Sequence, residues 1–512
     1  MQKTNNTSMT GIYIVAVILG YITLNQGGYF AGGIISTGLI ASLFLFGKKP
    51  ELKMFDIFLL AFSIWYLFCS LIGGFDIRYA AKGLIPLLCL MFRMLIPRYT
   101  VDAKALCQKI IKVSFYIAVL AIVLCIYKSF KSERLLRLKF PFQYANASGI
   151  FFGVMFILAR YCEFSWAKKR QYIFFLGLIL TQSVGSIGVT VIAEICLSKN
   201  LKRTLMILGV LIVGAVFLKG RVYQSIGTFI ERFLQMHDGI RCVADNPFFG
   251  IGAGRWELFK NIYQTGFYQA KEMHSSIVEI AVASGSVGIL LFISSIVVLL
   301  KTFHFENKAY LTGILMFIGH SCLDFTLSFL AFGFIIMVLI SCGEDKKQEV
   351  IIFNKPSAIA CACVMTSVFF VLSIGMYQMN RLDSLDLSKK YSQYTKYYEN
   401  NPLSRLSVGT KEKYAKALYA TGDKEGCENQ LENIGVLSTD MIILKKGCSN
   451  EWRVAFDYLK TQPYNSVLYR TVFYNSNDKK LQNETKEMLD ENIKSMSFLG
   501  KILFNFKGEK VL

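Results

Sequence analysis

The apolar run SIVEIAVASGSVGILLFISSIVVLL at residues 276–300 decides the fold class of this chain. It is long enough to cross a bilayer, because a spanning helix needs about 20 predominantly apolar residues. His274, one of only four histidines, stands just before this run and ends the polar stretch 220–275. A titratable imidazole at the point where a polar loop enters a membrane is a candidate for acid–base chemistry. The run therefore predicts a membrane-embedded fold and the position of a functional residue.

The whole chain has the composition of a multi-span membrane protein. Its 512 residues are 54% hydrophobic with a mean hydropathy of +0.43, which exceeds what a soluble chain of this length can bury. Much of the net charge of +21 lies at the ends of apolar runs, as cytoplasmic loops and anionic headgroups favour. No motif that reads nucleic acid accompanies it. The 13 cysteines are spread singly and lack zinc-ligand spacing, so we expect neither a metal nor a cofactor.

The apolar segments predict an all-α, polytopic membrane bundle of about 12 to 13 spans. The pair 171–184 and 186–198 is interpreted as two half-length helices around a polar, glycine-containing break, which protein or a water-filled cavity must cover. With the N-terminus inside and this pair counted as two, nearly every inner loop is basic, and 220–275 becomes a large extracytoplasmic loop. The basic stretch 128–139 also falls outside. It is either a solvated loop or a place where an anionic lipid-linked substrate is met.

The character of the chain changes near residue 379. Residues 1–378 form the predicted transmembrane domain, whereas 379–512 are polar and mixed in charge. The segments 398–402 and 414–423 predict paired amphipathic helices similar to a tetratricopeptide-like repeat. Only one repeat is legible, so we expect a small, degenerate helical array. Crossing parity places this tail on the extracytoplasmic side of the cell membrane.

Cationic and glycine-rich segments cluster in the loop 220–275. Arginines present planar forks that suit phosphate oxygens, although a single arginine also serves to contact lipid headgroups or solvent. Gly250, Gly252 and Gly254 allow a tight turn and a close approach to a ligand or a helix, and packing alone is an equal alternative. These glycines follow no nucleotide-binding strand, which excludes a dinucleotide fold. The candidate phosphate-binding residues are Arg221, Arg232, Arg241 and Arg255.

Several titratable groups stand at or inside apolar runs. His274 is a candidate general base or a hydrogen-bond donor to phosphate, and the alternative is a histidine satisfied at the interface. Glu279 lies inside the following run, where a carboxylate is costly, and is placed to orient His274 or to pair with an arginine. His320 and Asp324 are four residues apart, which predicts one shared helical face. That face either lines the same cavity or carries a structural hydrogen bond.

The order and spacing of these motifs resemble the O-antigen ligase and polymerase superfamily over roughly residues 130–345. In that family an arginine precedes an acidic-Asn-Pro-x-x-Gly-x-Gly turn, and a histidine then opens a helix that carries a Gly-x-x-Gly turn. A Phe-x-Tyr-x-Asn segment enters an earlier helix, and a His-x-x-x-Asp-Phe segment follows later. The matching residues here are Arg232, Asp245 to Gly254, His274, Glu279, Gly285 to Gly288, Phe142 to Asn146 with Tyr144, and His320 to Phe325 with Asp324.

This sequence departs from the family pattern at two positions. Val184 stands where the family has a pyrophosphate-contacting arginine in a Ser-Arg-Gly segment, and Ser275 replaces an asparagine. Arg137, Arg241 or Arg255 would then have to supply the missing contact. An inactive or repurposed relative is the alternative.

The resemblance implies a metal-independent, inverting glycosyltransferase. It implies transfer of a glycan from undecaprenyl pyrophosphate to an acceptor sugar hydroxyl at the outer face, with His274 taking the hydroxyl proton. Arg232 and Arg241 would hold the leaving pyrophosphate. A capsule or exopolysaccharide polymerase is favoured over a ligase that uses a lipid, protein or wall acceptor. The reason is that a Lys-, Asn- and Ile-rich chain suggests an AT-rich genome, and thereby a bacterium without lipopolysaccharide. A flippase for lipid-linked oligosaccharides, and a scaffold that binds other polysaccharide-assembly proteins through the tail, remain as alternatives.

Overall fold

The computed structural model describes residues 17–46, 51–72, 76–99, 103–162, 164–198, 209, 219–303, 308–343, 351–352, 354–508 and 511–512, and these are mostly helical. Two-residue strands, Glu51–Leu52 and Ile351–Ile352, pair in antiparallel register. The all-α class is confirmed. The helices are α1 (17–24), α2 (Ala31–Leu43), α3 (Met54–Ile72), α4 (Ile77–Gly83), α5 (Ile85–Tyr99), α6 (Ala103–Lys131), α7 (Ala145–Tyr161), α8 (Ser165–Thr181), α9 (Val184–Leu197), α10 (Lys219–Asp245), α11 (Trp256–Tyr263), α12 (Ser276–Thr302), α13 (Lys308–Ser321), α14 (Leu330–Gly343), α15 (Lys355–Leu387), α16 (Tyr391–Asn400), α17 (Val408–Ala420), α18 (Lys424–Glu432), α19 (Thr439–Ser449), α20 (Trp452–Thr461), α21 (Ser466–Asn475), α22 (Lys479–Ser495) and α23 (Phe498–Lys507).

Several of these helices have the length and composition of membrane spans. Four in the described part of the chain qualify alone, namely α3, α6, α12 and α15, and the pair α4 and α5, bent by 46°, makes up to five. The shorter apolar helices are α2, α7, α9 and α14. The membrane-type bundle is thus supported, whereas the larger predicted number of spans stays a prediction. One of the predicted spans is the apolar stretch at 203–219, and it lies almost entirely outside the described residues.

Helix α7 lies at the centre of the bundle and packs against α8, α9 and α13. Its residues from Ala147 to Ala159 are all buried. Gly149 brings α9 close, since an added Cβ would lie 2.7 Å from Ser186 Oγ. The break predicted between α8 and α9 is present: Gln182 adopts a left-handed φ of 52°, and the side chain of Ser183 caps α9. This break places two serines beside the start of α7.

The glycine-rich loop after α10 packs directly on α12. Gly250, Gly252 and Gly254 all have positive φ, and the N–H groups of Ile251 and Gly252 donate to carbonyls of α12 at 2.8 and 3.0 Å. Helix α12 is itself interrupted at Gly285, where φ is 66°. A Cβ on Gly250 would lie 2.3 Å from a backbone oxygen of α12. Gly250 therefore serves close packing of the loop on the backbone of α12, whereas a Cβ on Gly254 would meet the Lys82 side chain at 2.8 Å.

The C-terminal helices form an array whose last helix packs on α10. From α16 to α22 each helix packs against the next, whereas α23 packs on α10. Lys507 of α23 pairs with Glu231 of α10 at 2.9 Å, and Phe506 stacks on Tyr223 with ring centroids 4.8 Å apart. Helix α15 runs without interruption past residue 378, so the predicted domain boundary falls inside it. The tail is consequently held at both ends, by α15, which packs on α2 in the bundle, and by α23, which packs on α10.

Candidate active site

The polar centre of the bundle is built around the carboxylate of Asp324, whose side chain is 2% exposed. The Tyr144 hydroxyl donates to its two oxygens at 3.1 and 3.0 Å, and Asn146 Nδ2 donates to Oδ2 at 2.7 Å. The Arg232 guanidinium donates to Oδ2 at 3.1 Å, and the next backbone N–H donates to Oδ1 at 2.9 Å. Together with His274, these residues form what we call the aspartate centre: Asp324, Tyr144, Asn146, Arg232 and His274.

Separate segments of the chain supply the aspartate centre. Tyr144 is the residue before α7 and Asn146 is in its first turn, whereas Arg232 comes from the middle of α10. Asp324 lies in the turn after α13. A second amino group of Arg232 donates to the Leu323 carbonyl at 2.7 Å, so this guanidinium is bound to the turn at two points. Arg232 therefore fixes α10, the helix that precedes the loop, against the bundle.

The aspartate centre keeps its carboxylate ionised. Burial would by itself raise the pKa of Asp324, but the interaction with His274 and the charge of Arg232 outweigh it and hold this pKa below its usual range. A buried carboxylate of this kind can stabilise a positive charge that appears beside it during a reaction.

His274 is partly exposed, as are Tyr144 and Asn146, whereas Asp324 and Arg232 are buried. The His274 side chain is 19% exposed, and its Nδ1 lies 3.8 Å from Asp324 Oδ1, within ion-pair range but too far for a hydrogen bond. The His274 backbone N–H donates to Gln235 Oε1 of α10 at 3.0 Å. Ser275 caps α12 through its side chain, so the residue that replaces the family asparagine fixes where the helix begins. An imidazole with one nitrogen facing a carboxylate and an accessible edge is arranged for general-base chemistry.

The predicted pairing of His320 and Asp324 on one helical face is wrong. Helix α13 ends at Ser321, and the chain then turns. Asp324 therefore lies beyond the helix, and its carboxylate does not share a helical face with His320. His320 is buried and lies 3.0 Å from Ser186 Oγ and 2.7 Å from Thr326 Oγ1. Both ring nitrogens thus have structural partners. His320 joins α9 to the turn that carries Asp324.

The predicted orienting role of Glu279 belongs to Asp324 instead. Glu279 Oε2 accepts a hydrogen bond from Ser328 Oγ at 3.3 Å, and within the described residues no arginine pairs with it. The i,i+5 spacing turns its side chain away from His274 and into the bundle.

Glu279 lies at one end of an apolar cavity of about 140 Å³. Lys82 lines the same end and pairs with Glu272 at 3.2 Å, while the remaining walls are mostly apolar side chains of α3, α5, α12, α13 and α14. Ser276 also lines the cavity, and its hydroxyl donates to the Asp324 carbonyl oxygen at 3.1 Å. The apolar cavity therefore adjoins the aspartate centre.

A basic cleft of about 240 Å³ adjoins the same centre through Arg137. Arg137 Nε donates to the Thr181 carbonyl at 3.0 Å, and a terminal nitrogen donates to Asn146 Oδ1 at 3.3 Å. Lys128 and Lys139 also line this cleft. Arg137 thus brings a guanidinium to the α8–α9 break, beside the valine that replaces the arginine expected from the family pattern.

The other predicted arginines have different surroundings. Arg241 is exposed and donates to the Tyr263 carbonyl at 3.4 Å, whereas Arg255 is buried and donates to the Ser70 carbonyl at 3.3 Å. Neither contacts the aspartate centre in the part of the chain that the structure describes. The side chain of Arg221 lies outside the described residues. Arg241 and Arg255 therefore hold the loop in place.

Sequence reasoning missed Asp238, which anchors the segment that leads to His274. The buried carboxylate of Asp238 accepts hydrogen bonds from the N–H and hydroxyl of Thr265 at 3.2 and 2.6 Å and from the Tyr268 hydroxyl at 3.1 Å. Burial raises the pKa of Asp238. Arg232, Gln235 and Asp238 are spaced three apart, a pattern that marks one face of a helix and was readable beforehand.

No protein family matches this chain, and none of the curated proteins is similar to it. The likeness to the O-antigen ligase and polymerase superfamily therefore rests on the motifs alone. A functional assignment has to come from the aspartate centre, the apolar cavity and the basic cleft.

Proposed function

We propose that this protein is an integral-membrane glycosyltransferase that moves a glycan from undecaprenyl pyrophosphate to an acceptor sugar hydroxyl at the extracytoplasmic face. The observation that carries the proposal is that an accessible imidazole beside a buried carboxylate adjoins both an apolar cavity and a basic cleft. These features match the reacting hydroxyl, the polyprenyl chain and the pyrophosphate of such a substrate.

His274 acts in the proposed reaction as the general base. It accepts the proton of the acceptor hydroxyl while that oxygen forms a bond to the anomeric carbon of the donor. The bond between this carbon and the pyrophosphate oxygen breaks, and the pyrophosphate leaves with the electron pair. Asp324 stabilises the imidazolium that results. A single displacement of this kind inverts the anomeric centre.

The basic cleft holds the leaving pyrophosphate. Arg137 offers a planar fork, and Lys128 and Lys139 add positive charge, so the group that departs is neutralised where it forms. This choice assigns the basic stretch 128–139 to substrate binding rather than to a solvated loop. It also compensates for the valine at position 184.

The apolar cavity takes the first part of the polyprenyl chain. It adjoins the aspartate centre at Ser276 and continues between membrane-type helices. Its mostly apolar walls suit a hydrocarbon chain and offer few hydrogen-bond partners to a free sugar nucleotide, so the cavity favours a lipid-linked donor.

An enzyme accounts for the buried charges better than a flippase does. Arg93 pairs with Asp56 at 3.4 Å and Arg160 pairs with Glu194 at 2.9 Å, so these bundle arginines have acidic partners. Neither arginine lines the apolar cavity. In the proposal the chain has further spans, the tail is extracytoplasmic, and the product is a longer capsule or exopolysaccharide chain. A ligase that uses a lipid, protein or wall acceptor is the second candidate within the same chemistry.

The proposal is tested with purified protein in detergent and a lipid-linked oligosaccharide. Wild type should lengthen or transfer the glycan, and His274→Ala should not. His237→Ala is the matched control, since His237 is exposed and lies outside the aspartate centre; it contacts Asp238 at 3.1 Å, and Asp238 keeps its hydrogen bonds to Thr265 and Tyr268 in this variant. Product formed by His274→Ala would overturn the assigned role. Absence of transfer by wild type, with movement of the lipid across vesicles, would establish the flippase instead.

A further inference from the structure

A polar cleft of about 460 Å³ lies between residues 257–269 and the C-terminal helices. One wall comes from α4, a second from α11 and the segment after it, and a third from the tail. The cleft presents carboxylates, amides, hydroxyls and an ammonium group from residues that include Glu257, Lys260, Asn261, Gln269, Thr439 and Asn465.

Buried acceptor atoms in this cleft have no hydrogen-bond partner. Gln264 is 2% exposed and Ser407 1% exposed, yet Gln264 Oε1 and Ser407 Oγ are both unpartnered, as is Glu412 Oε1. Ser407 occupies the N-cap position of α17, but its hydroxyl does not cap that helix. Polar atoms buried without a partner destabilise the fold, so these side chains are arranged for a ligand that donates hydrogen bonds.

We infer that this cleft binds the saccharide of the acceptor. A sugar supplies many hydroxyls that both donate and accept, which suits walls made of carboxylate, amide and hydroxyl groups. The cleft mixes charges of both signs, since Arg78 and Lys260 line it together with Asp76, Glu257 and Glu412, so a phosphate or another strongly anionic ligand would meet carboxylates. The identity of the saccharide rests on the proposed function, whereas its hydroxyl-rich character rests on the cleft.

The cleft is connected to His274 through the chain itself. Its wall includes Gln264, Tyr268 and Gln269, and this segment continues directly to His274. Asp238 fixes the start of the segment, and Lys260 Nζ donates to carbonyls of residues 269 and 270 at 3.3 and 3.1 Å. A saccharide in the cleft therefore contacts the segment of chain that leads to the general base, His274. In a polymerase this would hold the acceptor glycan between successive transfers.

The inference is tested by titrating full-length protein in detergent with short, carrier-free oligosaccharides released from the surface polysaccharide of the producing strain. Calorimetry should detect binding to wild type. Glu412→Gln should weaken it about tenfold, the loss expected for one hydrogen bond to a charged acceptor. Ser407→Ala should also weaken it and should fold normally, because its hydroxyl caps nothing. The control is Glu432→Gln, an exposed tail carboxylate that should change nothing.

The outcomes separate this inference from the proposed function. His274→Ala should bind the oligosaccharide with wild-type affinity although it transfers nothing. Binding that survives both cleft substitutions, or no binding by wild type, would overturn the cleft assignment even if transfer occurs. Binding that depends on Glu412 and Ser407, in a protein that catalyses no transfer, would retain the cleft and remove the transferase.

Discussion

Replacing Asp324 with asparagine removes one buried negative charge at nearly constant volume. Its Oδ2 accepts from Asn146 and Arg232, and its Oδ1 accepts from a backbone N–H. An amide offers only one accepting oxygen, so whichever way it turns, one of these sets of donors faces an NH₂ group. The substitution therefore disturbs both the ion pair and the hydrogen-bond shell.

The ion pair sets the size of the effect. At 3.1 Å, with an effective dielectric constant of about 20, the attraction between Arg232 and Asp324 is about 5 kcal/mol. Desolvation offsets part of it, but the side chains are only 8% and 2% exposed, and loss of one partner leaves the other charge buried. We expect Asp324→Asn to lower the free energy of unfolding by about 3–5 kcal/mol. Its transfer rate should fall by about 100- to 10,000-fold, because the His274 imidazolium loses its counter-charge.

Thermal unfolding and initial rates of glycan transfer measure the two effects separately. Rates are taken well below the melting temperature of the variant, so that every molecule counted is folded. Tyr144→Phe is the comparison: it keeps the ion pair and removes the hydrogen bond from the tyrosine hydroxyl to the charged carboxylate, worth about 1.5–3 kcal/mol. Wild-type stability and rate in Asp324→Asn would refute the reasoning.

Other substitutions test the loop, the basic cleft and the tail. Gly250→Ala should lower the free energy of unfolding by about 1–3 kcal/mol, because φ is 63° and the Cβ would collide with the backbone of α12. Gly188→Ala is the control and should not destabilise the protein, because a Cβ at Gly188 would meet no atom within 4 Å. Equal losses of stability in the two variants would contradict the packing. Arg137→Ala should raise the KM for lipid-linked donor about tenfold while exposed Arg134→Ala leaves it unchanged, and identical KM values would remove Arg137 from the site. Burial raises the pKa of Glu412, so its contribution to stability is full below the usual carboxyl pKa and is lost as pH rises through the raised value. Glu412→Gln should therefore raise the melting temperature at neutral pH but not in acid, and the same difference at both pH values would count against this.

Sequence patterns within single segments predicted the long apolar helices and the break between α8 and α9. The apolar runs identified α3, α6, α12 and α15, and the polar, glycine-containing segment before Ser186 identified the α8–α9 break. The end of α13 was missed because residues 321–325 contain neither glycine nor proline. Tertiary contacts end that helix, and so the assumption of an i,i+4 face failed. Most helices of the tail were not predicted individually, because short helices leave only a few turns of apolar periodicity in the sequence.

The candidate site was predictable one residue at a time but not as an assembly. His274 stood out by its rarity and its place before a span, and Arg232 by its spacing to the glycine turn. Their shared partner is Asp324, which is far away in sequence, and no local pattern names such a partner. Likewise the sequence left ligand contact and packing as equal interpretations of the glycine loop, and the helix that the loop contacts became visible only in the structure. Arg137 was one candidate among several until its bond to Asn146 placed it beside the centre.

The most direct test of the central claim is the rate of glycan transfer in a single turnover by His274→Ala, with saturating lipid-linked donor and acceptor, and with free imidazole added in a parallel series. The account predicts a fall of about 100-fold or more, donor binding close to that of wild type, and partial recovery of the rate with imidazole. A wild-type transfer rate in His274→Ala without imidazole would contradict it.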